Sequence, residues 1–545
     1  MGRDNRRVAP PDNCMSPNFF KSSKKQESIV NEKGERRDGR KPDDIRPMSL
    51  KVGLIPTVTG SAYLECGNTK VICSVIGPRD VLTKSDSATK GQLSCEFKYN
   101  MFSCRERQPY VPSDEEMATA KAIQDALEPV ILLHKFPKSR LDITIYVLQD
   151  DGGAAGAAIT CAGAALSNAG VEMYDLPVGC TLIYCNSQFL IDPTAEEENY
   201  SEVKDFTKIS MAMMVEYQSQ VIYMDSSGYV NPSLLTESLK MLQSSCHQVV
   251  TAVKLCLKKH VKEMNEELQD ELNKGSVDRK GILQAKLLQP QTYLKTFLEN
   301  NIREDSRNLP EFRAVLIDVG TIDTANGSAL VRLGSTAVLC GIKAELTNPL
   351  PAHPDKGFFV PNVTLTPICS NRFVPGPPTE QAQVYSQMIM DLWKNSLFID
   401  PAKLCIVPKN LAWCVFADIM CLSYDGNIFD ACVLALMSAL RNTKLPEVSV
   451  NDETSKIEVT DNFVDLNVDS FVSSATFAVF NESVVADPSL EEESLSNSSV
   501  TVILNPNLEM SIHSDGPITE KVLDHCIDSA KERYSEMKEL IENLS

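Results

Sequence analysis

Residues 59–75 read TGSAYLECGNTKVICSV, and residues 326–342 read NGSALVRLGSTAVLCGI. Laid over one another without a gap, Gly60, Ser61, Ala62, Gly67, Thr69, Val71 and Cys73 recur as Gly327, Ser328, Ala329, Gly334, Thr336, Val338 and Cys340, each 267 positions later. In both copies β-branched and apolar residues alternate with small or polar ones on either side of a Gly-Asn or Gly-Ser pair. That is the pattern of two strands joined by a tight turn. A chain that repeats a hairpin at such a distance, glycines included, is built from two copies of one unit.

The register holds outward from the hairpin. RRDGRKPDDIRP (36–47) matches REDSRNLPEFRA (303–314), so Arg36, Asp38, Arg40 and Arg46 correspond to Arg303, Asp305, Arg307 and Arg313. A long helical pattern follows in each half. SDEEMATAKAIQDALEPVIL (113–132) opens on a capping box, Ser113 with Glu116, and TEQAQVYSQMIMDLWKNS (379–396) is its counterpart. A buried strand then leads into an Asp-Gly pair and a second helix, DDGGAAGAAITCAGAALSNAG (150–170) and YDGNIFDACVLALMSAL (424–440). Later come two acidic turns, DPTAEEE (192–198) and DPSLEEE (487–493), and a closing helix over about 233–273 and 519–544.

Strands alternating with long helices in the same order twice predict an α/β (α+β) chain of two tandem domains. The expected boundaries are a disordered basic tail at 1–30, a first domain at 31–272, a polar linker NKGSVDRKGILQ at 273–284, and a second domain at 285–545. The tail carries six basic and three acidic residues without periodicity, a solvated terminus whose charge would also suit RNA.

Composition is that of a globular protein, with 43% hydrophobic and 23% charged residues over a length of 545. A formal net charge of -20 repels a phosphate backbone on average, so any nucleic-acid contact is expected to be local. The seventeen cysteines fall mostly in apolar runs and contain no CxxC pair, which predicts free buried thiols in a reducing compartment rather than zinc or a disulfide framework. No apolar run approaches the roughly 20 residues of a membrane span, and no signal peptide opens the chain, so a soluble intracellular protein without membrane partners is expected.

The RxDGR stretch, GSAYLECGNTKVICSV, the Asp-Gly helix start and the DPTAEEE turn together resemble the RNase PH family. Those proteins shorten RNA from the 3′ end by phosphorolysis. Within the family the likeness is to ring subunits of the eukaryotic RNA exosome, each half to a different subunit type, over most of the chain. The resemblance implies two RNase PH-like domains of ribosomal protein S5 domain 2-like βαβ architecture. It also implies partners: other RNase PH-like ring subunits, cap subunits of S1/KH type, and RNA passing through the ring channel. It further implies rRNA maturation and mRNA turnover in the nucleus, nucleolus and cytoplasm, and no cofactor.

Phosphorolysis needs a cationic cradle for the attacking phosphate and an acidic group near the scissile bond. In active family members the Asp-Gly helix start continues Thr-Arg and then Ser. Here Ala154 and Ala155 stand at the Thr-Arg place and Ala158 at the Ser place; in the second half Phe429 stands at the arginine position with Asp430 beside it. The family's catalytic Asp falls near Lys208 and Ser498, with Asp205 close by as a conceivable substitute. Neither half is therefore expected to be an enzyme, the alternative being an active phosphate-dependent 3′-5′ exoribonuclease. The acidic turns are expected to be solvated, with aspartate caps, and no metal site is expected. GGAAGAA fails the spacing of a nucleotide loop and is expected to let a helix pack closely on a sheet. Where RNA is touched, the resemblance implies Arg105, Arg107 and Arg372, in the loops before each first helix. The arginine pair that active members carry there is replaced by Ser113-Asp114.

Overall fold

The computed structural model describes residues 10–11, 13–20, 36–80, 90–185, 188–199, 206–228, 232–273, 286, 288–396, 398–450, 457–480, 483–506 and 509–543. The chain divides into two compact units. One comprises residues 23–269 with 370–375; the other comprises 1–22, 270–369 and 376–545. Each contains one copy of the repeat.

In the first-repeat unit, strands β1 (Met48–Val52), β2 (Gly60–Cys66), β3 (Thr69–Asp80), β4 (Gln92–Tyr99) and β5 (Ser139–Gln149) form one sheet in the order β1-β2-β3-β5-β4. Only the β4–β5 pairing is parallel. Helix α1 (Asp114–Leu127) crosses from β4 to β5. Its capping box forms as the sequence requires: Ser113 Oγ accepts the Glu116 N–H at 3.1 Å, and Glu116 Oε2 accepts the Ser113 N–H at 2.8 Å. The other Glu116 oxygen takes the Tyr99 N–H at 2.7 Å and so ties the helix to the end of β4.

Helix α2 (Ala154–Asn168) follows β5 and packs on β2 and β3 on one side and on β6 (Pro177–Cys185) on the other. β6 belongs to a second sheet, ordered β7-β6-β8-β9, with β7 (Gln188–Ile191), β8 (Thr207–Met214) and β9 (Gln220–Gly228). A helix held between two sheets needs small residues on both faces. A Cβ on Gly60 would run into the Ala165 carbonyl and Ala169, and one on Gly156 into the backbone of Gly179. The Gly/Ala run is a packing device, as expected. A one-turn helix α3 (Ala195–Glu198) and the long α4 (Pro232–Asn273) complete the unit, with Leu242, Cys246 and Val249 of α4 buried against Val178, Leu182 and Met211.

The second-repeat unit builds the same plan. Helix α5 (Pro290–Glu299) precedes β10 (Val315–Val319), β11 (Gly327–Leu333), β12 (Thr336–Thr347), β13 (Phe358–Leu365), α6 (Glu380–Ser396), β14 (Cys405–Val407) and β15 (Leu411–Ser423). The sheet order is β10-β11-β12-β15-β13, with β14 paired to β15. Gly327 faces Ile342 across the hairpin as Gly60 faces Val75, the repeat seen in three dimensions. Helix α7 (Ile428–Arg441) takes the place of α2. An inserted hairpin, β16 (Lys444–Val450) and β17 (Ile457–Asp465), then precedes β18 (Ser473–Phe480), β19 (Ser483–Ala486), α8 (Leu490–Leu495), β20 (Ser498–Leu504), β21 (Met510–Asp515) and α9 (Glu520–Glu542).

Part of the tail expected to be disordered is ordered instead. Residues 14–20 form a β-bridge and a 3-10 turn on the second-repeat unit, because β12 runs longer than β11 and leaves an edge for Met15 to pair with. Tail residues 1–9, 12 and 21–30 and linker residues 274–284 lie outside the described residues. Among the described residues, no helix is long and apolar enough to cross a membrane.

Candidate functional site

In each unit the Asp-Gly pair, the acidic turn and the arginines of the RxDxR stretch converge. Arg46 grips both oxygens of Asp192, Nη2 to Oδ1 at 2.6 Å and Nε to Oδ2 at 3.0 Å. It also donates to the carbonyls of Asp151 (2.7 Å) and Gly152 (3.0 Å). Arg36 is 1% exposed, donates to the carbonyls of Ile191 and Pro42 at 2.6 Å, and pairs with Glu197 at 3.6 Å.

The second unit repeats the Arg46–Asp192 grip and strengthens the second pairing. Arg313 holds Asp487 through two bonds of 2.8 Å and donates to the Asp425 carbonyl at 2.8 Å, while Arg303 holds Glu492 at 2.5 and 3.0 Å. Burial by itself would lower the pKa of Arg46 and Arg313, but the bonded aspartates outweigh it and raise both. Asp487 is held below the usual carboxylate range: burial opposes its charge, and Arg313 more than compensates.

The acidic turns are thus not solvated loops capped by aspartate. Their caps are Thr194 and Ser489, each closing a capping box with Glu197 or Glu492, and both glutamates are buried. Asp192 and Asp487 have left-handed backbones and bind arginine. Gly152 and Gly426, also left-handed, let the Asp-Gly turn lie on this segment, since a Cβ would strike Pro193–Ala195 or Pro488–Leu490. The signal was present in the sequence: T-x-x-E and S-x-x-E spacings, and a triple of arginines duplicated together with a triple of acids. What it did not reveal was their pairing.

The place an anion would take, at the N-terminus of α2, is held by the chain itself. Glu198 Oε1 accepts the Gly153 N–H at 2.9 Å, and Glu198 Oε2 accepts from Lys208 Nζ at 2.6 Å. Lys208, from the second position of β8, therefore neutralises a carboxylate at the place where the family resemblance implies an acid. Asp150 beside them is pushed up in pKa by burial first and by the charge of Glu198 next.

In the second unit Phe429 stacks near Tyr385, with centroids 5.9 Å apart. Asp430 turns inward: its oxygens accept from the Thr476 N–H (2.8 Å), Thr476 Oγ1 (3.0 Å) and Asn427 Nδ2 (2.8 Å). Burial raises its pKa. Ser498 Oγ donates to the Pro517 carbonyl at 3.2 Å. Asp205 lies outside the described residues. A cleft of about 270 Å³ opens beside Asp425, lined by Lys286, Tyr293, Glu304, Asp305 and Glu491 among others, with Lys286 bridging Glu304 and Glu491.

Of the three arginines expected to meet RNA, Arg105 is exposed and paired with Glu196 at 2.5 Å; Arg37 reaches the same carboxylate at 3.3 Å. The Arg105 hydrogen bond is the main reason that the Glu196 pKa is lowered. Arg107 Nη2 lies 3.3 Å from Met101 Sδ. Arg372 is exposed, and its N–H meets Ser370 Oγ at 3.4 Å.

Comparison with known proteins gives this arrangement its relatives. The pattern of the 3′ exoribonuclease family, domain 1, matches residues 44–172 and again 311–446. That of the 3′ exoribonuclease family, domain 2, matches 175–241 and 470–533. The exosome complex component rrp43 of Schizosaccharomyces pombe is 38% identical over 253 residues, 94% of its length and 46% of this chain. The exosome complex component Rrp42 of Thermococcus gammatolerans is 38% identical over 248 residues, 90% of its length and 45% of this chain. A chain of the Archaeoglobus fulgidus exosome with RNA bound to the active site is 31% identical, with a TM-score of 0.42, and is covered over 97% of its length by 47% of this chain. With both family domains matched twice, the chain belongs to the RNase PH (3′ exoribonuclease) family and carries two tandem copies of its two-domain repeat.

Proposed function

We propose that the chain is a non-catalytic structural subunit of the RNA exosome ring, with two subunit types joined in one polypeptide. The relatives that support this reading are themselves named exosome complex components, and each is covered over nearly its full length by less than half of this chain. Within it, the first half, with AGVEMYDLPVGC (169–180), is of the exosome component 6 type. The second half, with YDGNIFDAC (424–432), is of the exosome component 8 type.

The observation that carries the non-catalytic reading is Glu198 bonded to the Gly153 amide and to Lys208. A phosphate approaching the α2 N-terminus meets a carboxylate already using that amide and that cation, and the arginine position holds Ala155. In the second half an aromatic ring stands at the arginine position. Without a fixed cation, the charge developing on the attacking phosphate has no stabilising partner. The work left to such a subunit is to complete the ring, hold S1/KH cap subunits, and guide RNA past Arg105, Arg107 and Arg372 to a nuclease elsewhere, supporting 3′-5′ processing and decay in nucleus, nucleolus and cytoplasm.

Two assays test this. Purified chain given single-stranded RNA, phosphate and magnesium should release no nucleoside diphosphate. Mixed with the other ring subunits, it should co-elute as a ring. Phosphate-dependent release of nucleoside diphosphate would make the chain an exoribonuclease instead.

A further inference from the structure

β12 outruns its neighbour. β11 starts at Gly327, opposite Ile342, so residues 343–347 pair with β15 on one edge and have no β11 partner on the other. On the other edge, the backbone groups of alternate residues face outward, and among the described residues no named strand continues β11 there. Asn326 satisfies the first of these: its N–H donates to the Ile342 carbonyl at 2.9 Å, and its Oδ1 accepts the Ala344 N–H at 3.1 Å. The next outward residue is Leu346. Its N–H donates to the Met15 carbonyl at 2.8 Å, and its carbonyl accepts the Met15 N–H at 2.8 Å.

That reciprocal exchange is the unit of antiparallel strand addition. Around it, Cys14 packs on the apolar cluster of Val360, Cys414 and Phe416. Pro17 is buried, and the 3-10 turn Pro17–Phe20 lies against β12 and β17.

We infer that residues 14–20 are a docking segment built into the chain, and that its receptor is the open end of β12 together with the flank of β17. An open strand edge is a template for any extended peptide, and proteins close such edges with a covering segment. The occupant here is the chain's own N-terminal segment, which in sequence stands before the first repeat yet packs within the second-repeat unit. Residues 14–20 are then a clasp on the second repeat. Its contacts are few, so the free segment should bind weakly, while tethering supplies an effective concentration on the order of millimolar.

Hydrogen exchange tests the clasp. Three samples are compared: the full chain, a chain lacking residues 1–22, and that shortened chain with a synthetic peptide of residues 10–22 at millimolar concentration. Deletion should speed exchange of the Leu346 amide by about tenfold or more, since a local opening replaces a paired edge. The peptide should restore protection. A peptide carrying Met15→Pro, which has no amide hydrogen to give, should not. Amides of Val331 and Val338, interior to the same sheet, should keep their rates throughout, separating loss of the segment from loss of the fold. Equal Leu346 rates with and without the segment would overturn the inference. So would failure of the peptide to restore protection, or acceleration of Val331 and Val338 together with Leu346, which would make the segment part of the domain core.

Discussion

Arg46 reaches across the first-repeat unit to hold both carboxylate oxygens of Asp192, and its counterpart Arg313 holds Asp487 in the same way. Both arginines also bind the carbonyls of the Asp-Gly turn, so one guanidinium fixes the acidic turn and the start of the inter-sheet helix together. The duplicated RxDxR stretch is a bracket for the fold. Removing one partner of such a pair leaves the other buried charge without compensation. Arg46→Ala should therefore destabilise the first unit by about 3–5 kcal/mol. Arg105→Ala, at an exposed pair, should cost at most about 1 kcal/mol. Urea unfolding of both variants checks the contrast; equal effects would deny Arg46 its bracket role.

Acid should act on the same bracket. Asp487 is depressed below its ordinary value of 3.8 because Arg313 outweighs its burial. A carboxylate with a lowered folded pKa contributes stability that is fully present above its unfolded pKa and is lost as pH falls through the folded one. The second unit should thus keep its melting temperature down to about pH 5 and lose it progressively below about pH 4. Asp487→Asn, already lower in stability at pH 7, should show a shallower acid slope. An unchanged slope in that variant would assign the acid sensitivity to other groups.

A third prediction concerns the occupied helix terminus. Glu198 consumes the Gly153 amide and Lys208 at once. Glu198→Gln leaves a lysine and a helix N-terminus facing a neutral side chain, the combination that attracts an oxyanion. Inorganic phosphate should then bind with a dissociation constant on the order of millimolar, about tenfold or more tighter than to the parent protein. Phosphorus NMR line broadening on added protein would read it. Phosphorolysis should stay absent, since Ala155 still supplies no arginine. Equal broadening by both proteins would mean that Glu198 does not guard the site.

Much of this architecture was legible because its causes are local. The Ser113–Glu116 capping box, the Gly-Asn turn at Gly67 and the Gly/Ala run of α2 each declare themselves within a few residues. The duplication then supplied the order of elements twice. The partnerships in the site were not legible. Arg46 and Asp192 lie 146 positions apart, and Arg303 and Glu492 lie 189 apart. A run of acids in sequence looks the same whether water or a buried guanidinium faces it. Nor does composition reveal that Met15 will find the unpaired end of β12, because that vacancy arises from the unequal lengths of β11 and β12. Nor is it legible that Asp430, beside Phe429, commits its carboxylate to Thr476 on β18.

The last prediction concerns RNA and assembly together. Arg105 is exposed, and its pair with Glu196 is cheap to break, so an incoming phosphate can compete for the guanidinium. With a net charge of -20, the isolated chain should bind single-stranded RNA weakly, and that binding should weaken further as salt rises and counterion release loses its advantage. Inside a reconstituted ring the neighbouring subunits would confine RNA to the channel. There the triple variant Arg105→Ala, Arg107→Ala, Arg372→Ala should lower crosslinking severalfold, with little change in thermal stability. Native mass spectrometry of the same ring should find five polypeptides for six RNase PH-like domains, one of them near 60 kDa. A linker of about twelve residues spans at most roughly 40 Å when extended, enough for adjacent seats and hardly for distant ones. Unchanged crosslinking would remove the three arginines from the channel. A ring of six polypeptides that excludes this chain would end the structural-subunit reading.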